Sequence, residues 1–375
     1  MNFIQTITYE ELIIIGFSFG TLLYLFELIW IWGGLLMNKP IDKVDYDTSV
    51  SIVISARDEE INLKNNLELW LNQNHNSFEV IVINDCSYDN TKHLLAEFER
   101  KYQHLRSIEL CESKVFKGGK KHALFLGIKG AQFERILFTD TDCKPASKEW
   151  LALMNSQFSE NKSVVLGAGM YEHKKGLLNY LIQMDTIQIA IQYLGLAARG
   201  MPYMGVGRNM AYNKTLFFEN SGFKKNSKLQ WGDDDLFLNQ VARGNNTSIC
   251  STPEGFTISS PKTSFYDWFV QKRRHLSTAS KYRLISKLSV LIKPLRILLY
   301  YSMLIAGILI PEISNHFIIA ASMVYLLHVV IFVGLRRKIG NATAFYIFPI
   351  VEIALFVINT LIYVSIWIRK PKSWN

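Results

Sequence analysis

Asp140 and Asp142 stand one residue apart at the end of the apolar run Ile136-Leu137-Phe138-Thr139. A short apolar run bounded by polar residues predicts a buried strand. On an extended chain, residues i and i+2 point the same way, so both carboxylates aim at one point at the end of a buried sheet. Hard divalent cations take oxygen ligands and keep positions open for substrate phosphates. The pair is therefore a candidate site for a divalent metal carrying a diphosphate. An isolated Asp-x-Asp is more often a solvated turn, so the reading depends on its company.

That company is extensive. Asp85 ends a second apolar run, Val80-Ile81-Val82-Ile83, so it faces the same crevice, where a carboxylate can accept hydrogen bonds from a nucleobase or ribose. Ser87, Asp89 and Thr91 follow it with turn and cap chemistry, and Asp89 reads as a cap. Ala56-Arg57-Asp58-Glu59-Glu60 occupies the equivalent end of a first strand; its acids suit a helix start, and Asp58 and Glu59 are candidate nucleoside contacts. Lys117-Gly118-Gly119-Lys120-Lys121-His122 is a basic glycine loop leading into a helix, an anion site without P-loop spacing. Gly205-Val206-Gly207-Arg208-Asn209-Met210 lacks the third glycine of a dinucleotide fingerprint.

Two further clusters lie downstream. Trp231-Gly232-Asp233-Asp234-Asp235 puts three carboxylates at the head of a helix, more than capping requires. Crowded carboxylates raise one another's proton affinity, which is a route to a general base. Gln271-Lys272-Arg273-Arg274-His275 follows an aromatic run. Such a cation cluster stabilises leaving-group charge when it lies beside a diphosphate; by itself it also fits a basic membrane flank.

The elements that must hold these residues alternate. Val50–Ser55, Val80–Ile83 and Ile136–Phe138 read as strands. Glu59–Leu71, a segment from Asp89 or Asn90 to Tyr102, and His122–Gly130 read as helices. Alternation of this kind predicts βαβ units and a mostly parallel sheet, with ligands beyond the carboxyl ends of the strands. Beyond Pro145 the pattern is mixed: Glu149–Phe158 reads as helix and Ser163–Met170 as strand. Leu177–Ala198 reads as a helix that either lies amphipathically on a membrane or acceptor groove, or belongs to the core.

Of 375 residues, 49% are hydrophobic and only 19% charged, and the apolar residues concentrate at the two ends. Leu12–Met37 is long enough to span a bilayer and makes a better anchor than signal peptide. Leu295–Ile310, Phe317–Leu335 and Ala344–Ile368 are three further candidate spans. Lys281–Arg296 has the composition of an interfacial helix beside anionic lipid. The net charge of +9 fits cations flanking membrane helices on the cytoplasmic side. No zinc pattern, helix-turn-helix or RNP-like strand accompanies it, which argues against a nucleic-acid partner. Lys39 and Lys43 put the region after the first span in the cytoplasm. Four spans then place Arg369-Lys370-Pro371-Lys372 outside, against the positive-inside rule, unless one segment is re-entrant. Cys86, Cys111, Cys143 and Cys250 form no C-x-x-C pair and read as reduced thiols.

Taken together, Ala56-Arg57-Asp58-Glu59-Glu60, Asp85 with Ser87 and Asp89, Lys117-x-Gly119-Lys120-x-x-Ala123-Leu124, Asp140-x-Asp142, Gly232-Asp233-Asp234-Asp235-Leu236 and Gln271-x-x-Arg274 resemble the inverting family 2 glycosyltransferases of the GT-A fold, in their membrane-bound branch. The resemblance implies an α/β GT-A domain over 39–282. A membrane anchor over 1–38 precedes it, and an interfacial helix with membrane helices over 283–375 follows. It implies a multi-pass protein of the cytoplasmic (inner) membrane with a cytosolic catalytic domain. The implied reaction moves a sugar from a nucleotide-sugar donor to a lipid, lipid-linked or glycan acceptor for the cell envelope. Ala56, Asp58, Glu59, Asp85, Lys120 and Asp140 would bind the nucleotide-sugar. Asp140 and Asp142 would hold Mg2+ or Mn2+. Asp233 would be the general base, with Asp234 as alternative, and Gln271, Arg274 and His275 would line the acceptor and diphosphate side. Gly232 stands where the family has Glu, and His275 where the synthases have Trp. A processive polysaccharide synthase is the alternative within the enzymes, and a membrane scaffold or binding protein with a decayed site the alternative outside them.

Overall fold

A computed structural model describes residues 7–39, 41, 43–111, 119–226, 229, 232–340 and 347–369. The Lys117-Gly118 start of the basic loop, Trp231, Ala344 and Lys370–Lys372 lie outside the described residues.

The strands β1 (Val50–Ala56), β2 (Phe78–Asp85), β3 (Leu105–Leu110) and β4 (Arg135–Asp140) lie parallel in one half of a seven-stranded sheet. The remaining strands are β5 (Cys143–Pro145), β6 (Val164–Leu166), β7 (Gly169–Tyr171), β8 (Met210–Asn213), β9 (Thr247–Ile249) and β10 (Thr257–Ser259). The large sheet runs β3-β2-β1-β4-β8-β6-β9, with β8 antiparallel to both neighbours; β5, β10 and β7 form a small second sheet. The strand order reverses at β1, between β2 and β4. That is the switch point where open α/β sheets hold ligands.

The central strands carry apolar residues on both faces because both are covered. Val53, Ile81 and Ile83 pack under the helix Lys120–Gly130, while Ile52, Ile54 and Val80 pack under Glu60–Leu71 and Trp150–Asn155. The approach of the first of these helices is close. A Cβ on Gly127 would lie 2.5 Å from Ile83 Cδ1 and 2.7 Å from Val53 Cγ1.

Among the described residues, four helices are long and apolar enough to cross a membrane: Tyr9–Met37, Leu284–Ile308, Pro311–Ile339 and Phe348–Ile368. The first starts on a Thr8–Glu11 capping box and passes through a π-helical stretch, Glu27–Trp32. Its one internal acid, Glu27, is buried against Arg296, which also binds Glu352 of the last helix at 2.7 Å. Ionisable groups inside a membrane bundle face inward and pair, because lipid offers no solvation.

Two expectations change, and one pair of alternatives is decided. The segment 281–296 is not a separate interfacial helix. From Leu284 it runs unbroken through Pro294 into the membrane helix ending at Ile308. Arg296 is buried, and Lys293 donates to Gln188 Oε1 at 2.6 Å, because carboxylate and amide partners on other helices outcompete water. Ser163–Met170 divides between two sheets as β6 and β7. Leu177–Ala198 forms a helix with the expected bounds, but it is core: Ile182, Met184, Ile191, Tyr193 and Leu194 are buried, as are Asn179, Asp185 and Gln188. It joins the sheet core to the membrane helices in one apolar cluster.

Candidate active site

Parallel register brings the three strand ends level: Ala56 pairs with Asn84, beside Asp85, and Ser55 pairs with Asp140. Asp85 is buried. Its Oδ2 accepts from the Gly119 amide at 2.8 Å, while its Oδ1 has no partner among the described residues. A buried carboxylate oxygen of this kind has a lone pair to offer a ligand N–H or O–H.

The loop after β1 is stitched to the loop after β2. Asp58, at φ 54°, accepts from the Tyr88 amide at 2.7 Å, and its own amide donates to Ser87 Oγ at 2.9 Å. Asp89 accepts from the Glu60 and Thr91 amides at 3.0 Å each, which is cap chemistry. Glu59 faces the other way: desolvation raises its carboxyl, hydrogen bonds from Asn62 and Thr141 oppose this, and the charges of Asp142 and Asp140 add to it.

Asp140, Asp142 and Cys143 bring one potential ligand atom each within 4.8 Å of one another. Burial holds the Cys143 thiol far above its usual value, and the carboxylates of Asp142 and Asp140 push the same way. It therefore stays protonated, touching Ser259 Oγ at 3.0 Å and donating weakly to Asp142. What remains is a pair of hard carboxylates, one of them exposed, a donor set that fits Mg2+ or Mn2+.

Lys120, in the first turn of its helix, binds Asp140 Oδ1 at 2.7 Å and reaches Asp233 Oδ2 at 3.8 Å. Desolvation pulls its ammonium down, but Asp140 and Asp233 hold it well above the ordinary lysine value. Asp140 is correspondingly lowered. Its desolvation is outweighed by Lys120, with Arg208 and His275 assisting.

The three downstream acids are not equivalent. Asp234 caps the helix Asp235–Val241, accepting from the Asp235 amide at 2.7 Å and the Gly207 amide at 2.8 Å. Asp235 accepts from Thr278 and from Tyr282 at 2.7 Å. Asp233 faces Lys120. Desolvation raises its carboxyl to about 6, with Asp234 adding to the rise and Lys120 opposing it. Gly232 suits a turn that has φ +82° here, where a Cβ would meet Leu236 Cδ1 at 2.5 Å.

The helix Phe265–Thr278 brings up Gln271, Arg274 and His275. Gln271 donates to the Tyr171 hydroxyl at 3.0 Å. Desolvation pushes the His275 imidazole down to about 4 although the residue as a whole is exposed; Asp234 opposes this and Lys272, Arg208 and Arg274 reinforce it. Lys272 and Arg273 point away from this cleft. Lys272 forms a buried pair with Asp185 at 2.7 Å, and Arg273 binds carbonyls at the end of the last membrane helix.

The small sheet supplies what the motifs did not. Arg208 stacks 4.4 Å over the Tyr171 ring and donates to the Gly169 carbonyl at 2.6 Å. A Cβ on Gly169 would lie 2.1 Å from Arg208 Nε, so that glycine makes room for the guanidinium. In the sequence the only signal was an arginine between two glycines and an asparagine.

Residues 51–221 match the family model "Glycosyl transferase family 2". Among curated proteins, the chain is 24% identical over 210 residues to the poly-beta-1,6-N-acetyl-D-glucosamine synthase of Staphylococcus aureus, covering 55% of this chain and 47% of that one. It is 28% identical over 142 residues to the probable glycosyltransferase YdaM of Bacillus subtilis, covering 37% and 34%. The chain thus matches less than half the length of these relatives. Among solved structures, the mannosyltransferase PcManGT from Pyrobaculum calidifontis, in complex with GDP-Man and Mn2+, superposes with a TM-score of 0.61 over 94% of this chain and 97% of that one, at 14% identity, a likeness of fold. The central domain of this chain, residues 51–221, belongs to glycosyl transferase family 2 and has the GT-A fold.

Proposed function

We propose that the chain is a membrane-anchored inverting glycosyltransferase that moves a sugar from a nucleotide-sugar to a lipid, lipid-linked or glycan acceptor of the cell envelope. The observation that carries the reading is the difference among the three acids. Asp234 has both oxygens in structural bonds and Asp235 has Oδ2 held by Thr278 and Tyr282 deep in the core, whereas Asp233 faces the cation beside Asp140 with a proton affinity suited to a base near neutral pH.

In the proposed reaction, Asp233 takes the proton of an acceptor hydroxyl. The hydroxyl oxygen forms a bond to the anomeric carbon as that carbon's bond to the diphosphate oxygen breaks. One displacement inverts the configuration. Lys120, Arg208 and Arg274 supply positive charge toward the departing nucleoside diphosphate. Asp85, with Asp58 and Glu59 nearby, would bind the nucleoside, and the Ala56 strand end would pack beside it. Gln271 and His275 would face the acceptor. Asp140 and Asp142 would hold Mg2+ or Mn2+, which when bound neutralises diphosphate charge.

Purified full-length protein in membrane lipid extract with Mn2+ should release nucleoside diphosphate from at least one common UDP- or GDP-sugar. Release from none of them would overturn the reading in favour of a scaffold. The synthase relative favours a second version, processive polymerisation; His275 in the position of Trp favours single transfer. Product length on a gel separates the two.

A further inference from the structure

Two cavities meet where the chain enters the membrane helix Leu284–Ile308. One is a groove of about 720 Å3, walled by Leu288, Leu291, Leu295 and Leu298 of that helix and by Phe356 of the last helix. The other is a smaller pocket of about 170 Å3 bordered by Arg243 and Arg283. Ile285 and Ser289 line both, so the two lie side by side.

The two parts differ in chemistry. The groove is apolar and lies along a membrane span. From Ile285 to Leu298 the helix rises about 20 Å, comparable to the roughly 15 Å half-thickness of a bilayer's hydrocarbon core. The pocket sits at the end of the groove nearest the sheet domain, and its two guanidiniums bind only backbone carbonyls: Arg243 those of Gln240 and Ala242, Arg283 those of Pro202 and Ala242 at 3.3 Å. Neither has a carboxylate partner among the described residues, and Arg283 Nε is buried with no acceptor among them. Two arginines converging without an acid to balance them make a site for an anion.

We propose that this composite cavity binds one anionic phospholipid, its phosphate between Arg243 and Arg283 and one hydrocarbon chain in the groove beside Leu288 and Leu291. Apolar length, leaflet depth and charge all match that occupant. A free phosphate would leave the groove unfilled, and a zwitterionic lipid such as phosphatidylcholine, whose choline cation offsets its phosphate, would leave the net charge of the two arginines unbalanced. The cavity lies at the opposite end of the helix Asp235–Val241 from Asp233. The proposal therefore does not rest on the transfer reaction. It also retains part of the expectation from the basic composition of 281–296: the lipid-facing cations are those at the start of the helix, since Lys293 and Arg296 turn inward.

The test is lipid retention by the full chain, purified in detergent, exchanged with phosphatidylglycerol or phosphatidylcholine and weighed by native mass spectrometry. One phosphatidylglycerol should remain bound in preference to phosphatidylcholine. Arg243→Gln should reduce that preference about fivefold, the effect of one cation near a lipid surface. Leu291→Trp, which fills the groove from its lipid-facing side, should lower retention of both lipids while leaving the headgroup preference intact. Arg243 is exposed whereas Arg283 is half-buried with a buried Nε, so Arg243→Gln and Leu291→Trp are the deciding variants, each checked for an unchanged elution volume. Equal retention of the two lipids by the unaltered chain, no retained lipid, or undiminished preference in Arg243→Gln would each overturn the proposal.

Discussion

Lys120 Nζ lies 3.8 Å from Asp233 Oδ2, close enough to stabilise the carboxylate electrostatically yet beyond a hydrogen bond. The Asp233 side chain is 12% exposed, so the carboxylate is mostly desolvated without being sealed from an acceptor. Asp233→Asn keeps the shape and removes the base. Nucleoside diphosphate release should fall by about 10²–10⁴-fold with no loss of thermal stability, since the ionised carboxylate costs stability at neutral pH. Asp234→Asn keeps an oxygen for only one of two amides, so it should lower stability by about 1 kcal/mol while retaining most of the turnover. Full activity in Asp233→Asn would remove it from the mechanism.

The pH profile follows from the same carboxylate. Asp233 must be ionised to accept a proton, so the acid limb of the transfer rate should bend near pH 6. The stability contribution has the opposite sign. Folded-state values raised to about 6 for Asp233 and about 7 for Asp235, chiefly by desolvation, mean that the folded chain binds more protons than the unfolded one above the ordinary Asp value. These two groups therefore lose stability as pH rises from about 4 to 7. Asp235→Asn should flatten that slope in a thermal-unfolding series. An unchanged slope would show that Asp235 is ionised throughout.

Asp142 is exposed, and among the described residues its one hydrogen bond is the weak one from the Cys143 thiol, so replacing it leaves no buried charge unpaired. Asp142→Asn and chelation of the wild type should both reduce transfer at least about a hundredfold, as loss of several kcal/mol of charge stabilisation implies. Added Mn2+ or Mg2+ should rescue the chelated wild type. Undiminished nucleoside diphosphate release in excess chelator would exclude a metal role for the pair.

Lys272 binds both oxygens of Asp185, at 2.9 and 2.7 Å, and Asn359 donates to the same carboxylate at 3.4 Å. This buried pair sets the rotation of the helix that carries Gln271, Arg274 and His275, and links it to the core helix and the last membrane helix. Lys272→Met strands a buried carboxylate and should cost about 3–5 kcal/mol. Lys272→Met with Asp185→Leu should recover most of that loss in a detergent unfolding assay, because an apolar pair of similar volume leaves no charge to solvate. No recovery would mean that the pair acts through geometry alone.

The sequence by itself determined whatever depends on neighbours a few residues away. The strand ends carrying Asp85 and Asp140 follow from apolar runs that only a covered sheet can hold. The spans follow from length and hydropathy, and the Leu177–Ala198 helix from its unbroken helical composition. The strands β3 and β8 were not legible. Leu105–Leu110 is a mixed polar and apolar run at the sheet edge, and Met210–Asn213 is only four residues long, adopted because two strands flank it.

The tertiary structure decided which of several like residues is left to do chemistry. Asp233, Asp234 and Asp235 look alike in a row. Only partners from distant segments, Gly207, Thr278, Tyr282 and Lys120, distinguish a cap, a buried anchor and a carboxylate facing the cleft. Arg208 reached the site through a glycine 39 residues away, on the small sheet. Arg296 went into the membrane bundle because Glu27 and Glu352 meet it there. Desolvation and pairing are properties of what surrounds a group in space, and the order of residues along the chain does not state what that will be.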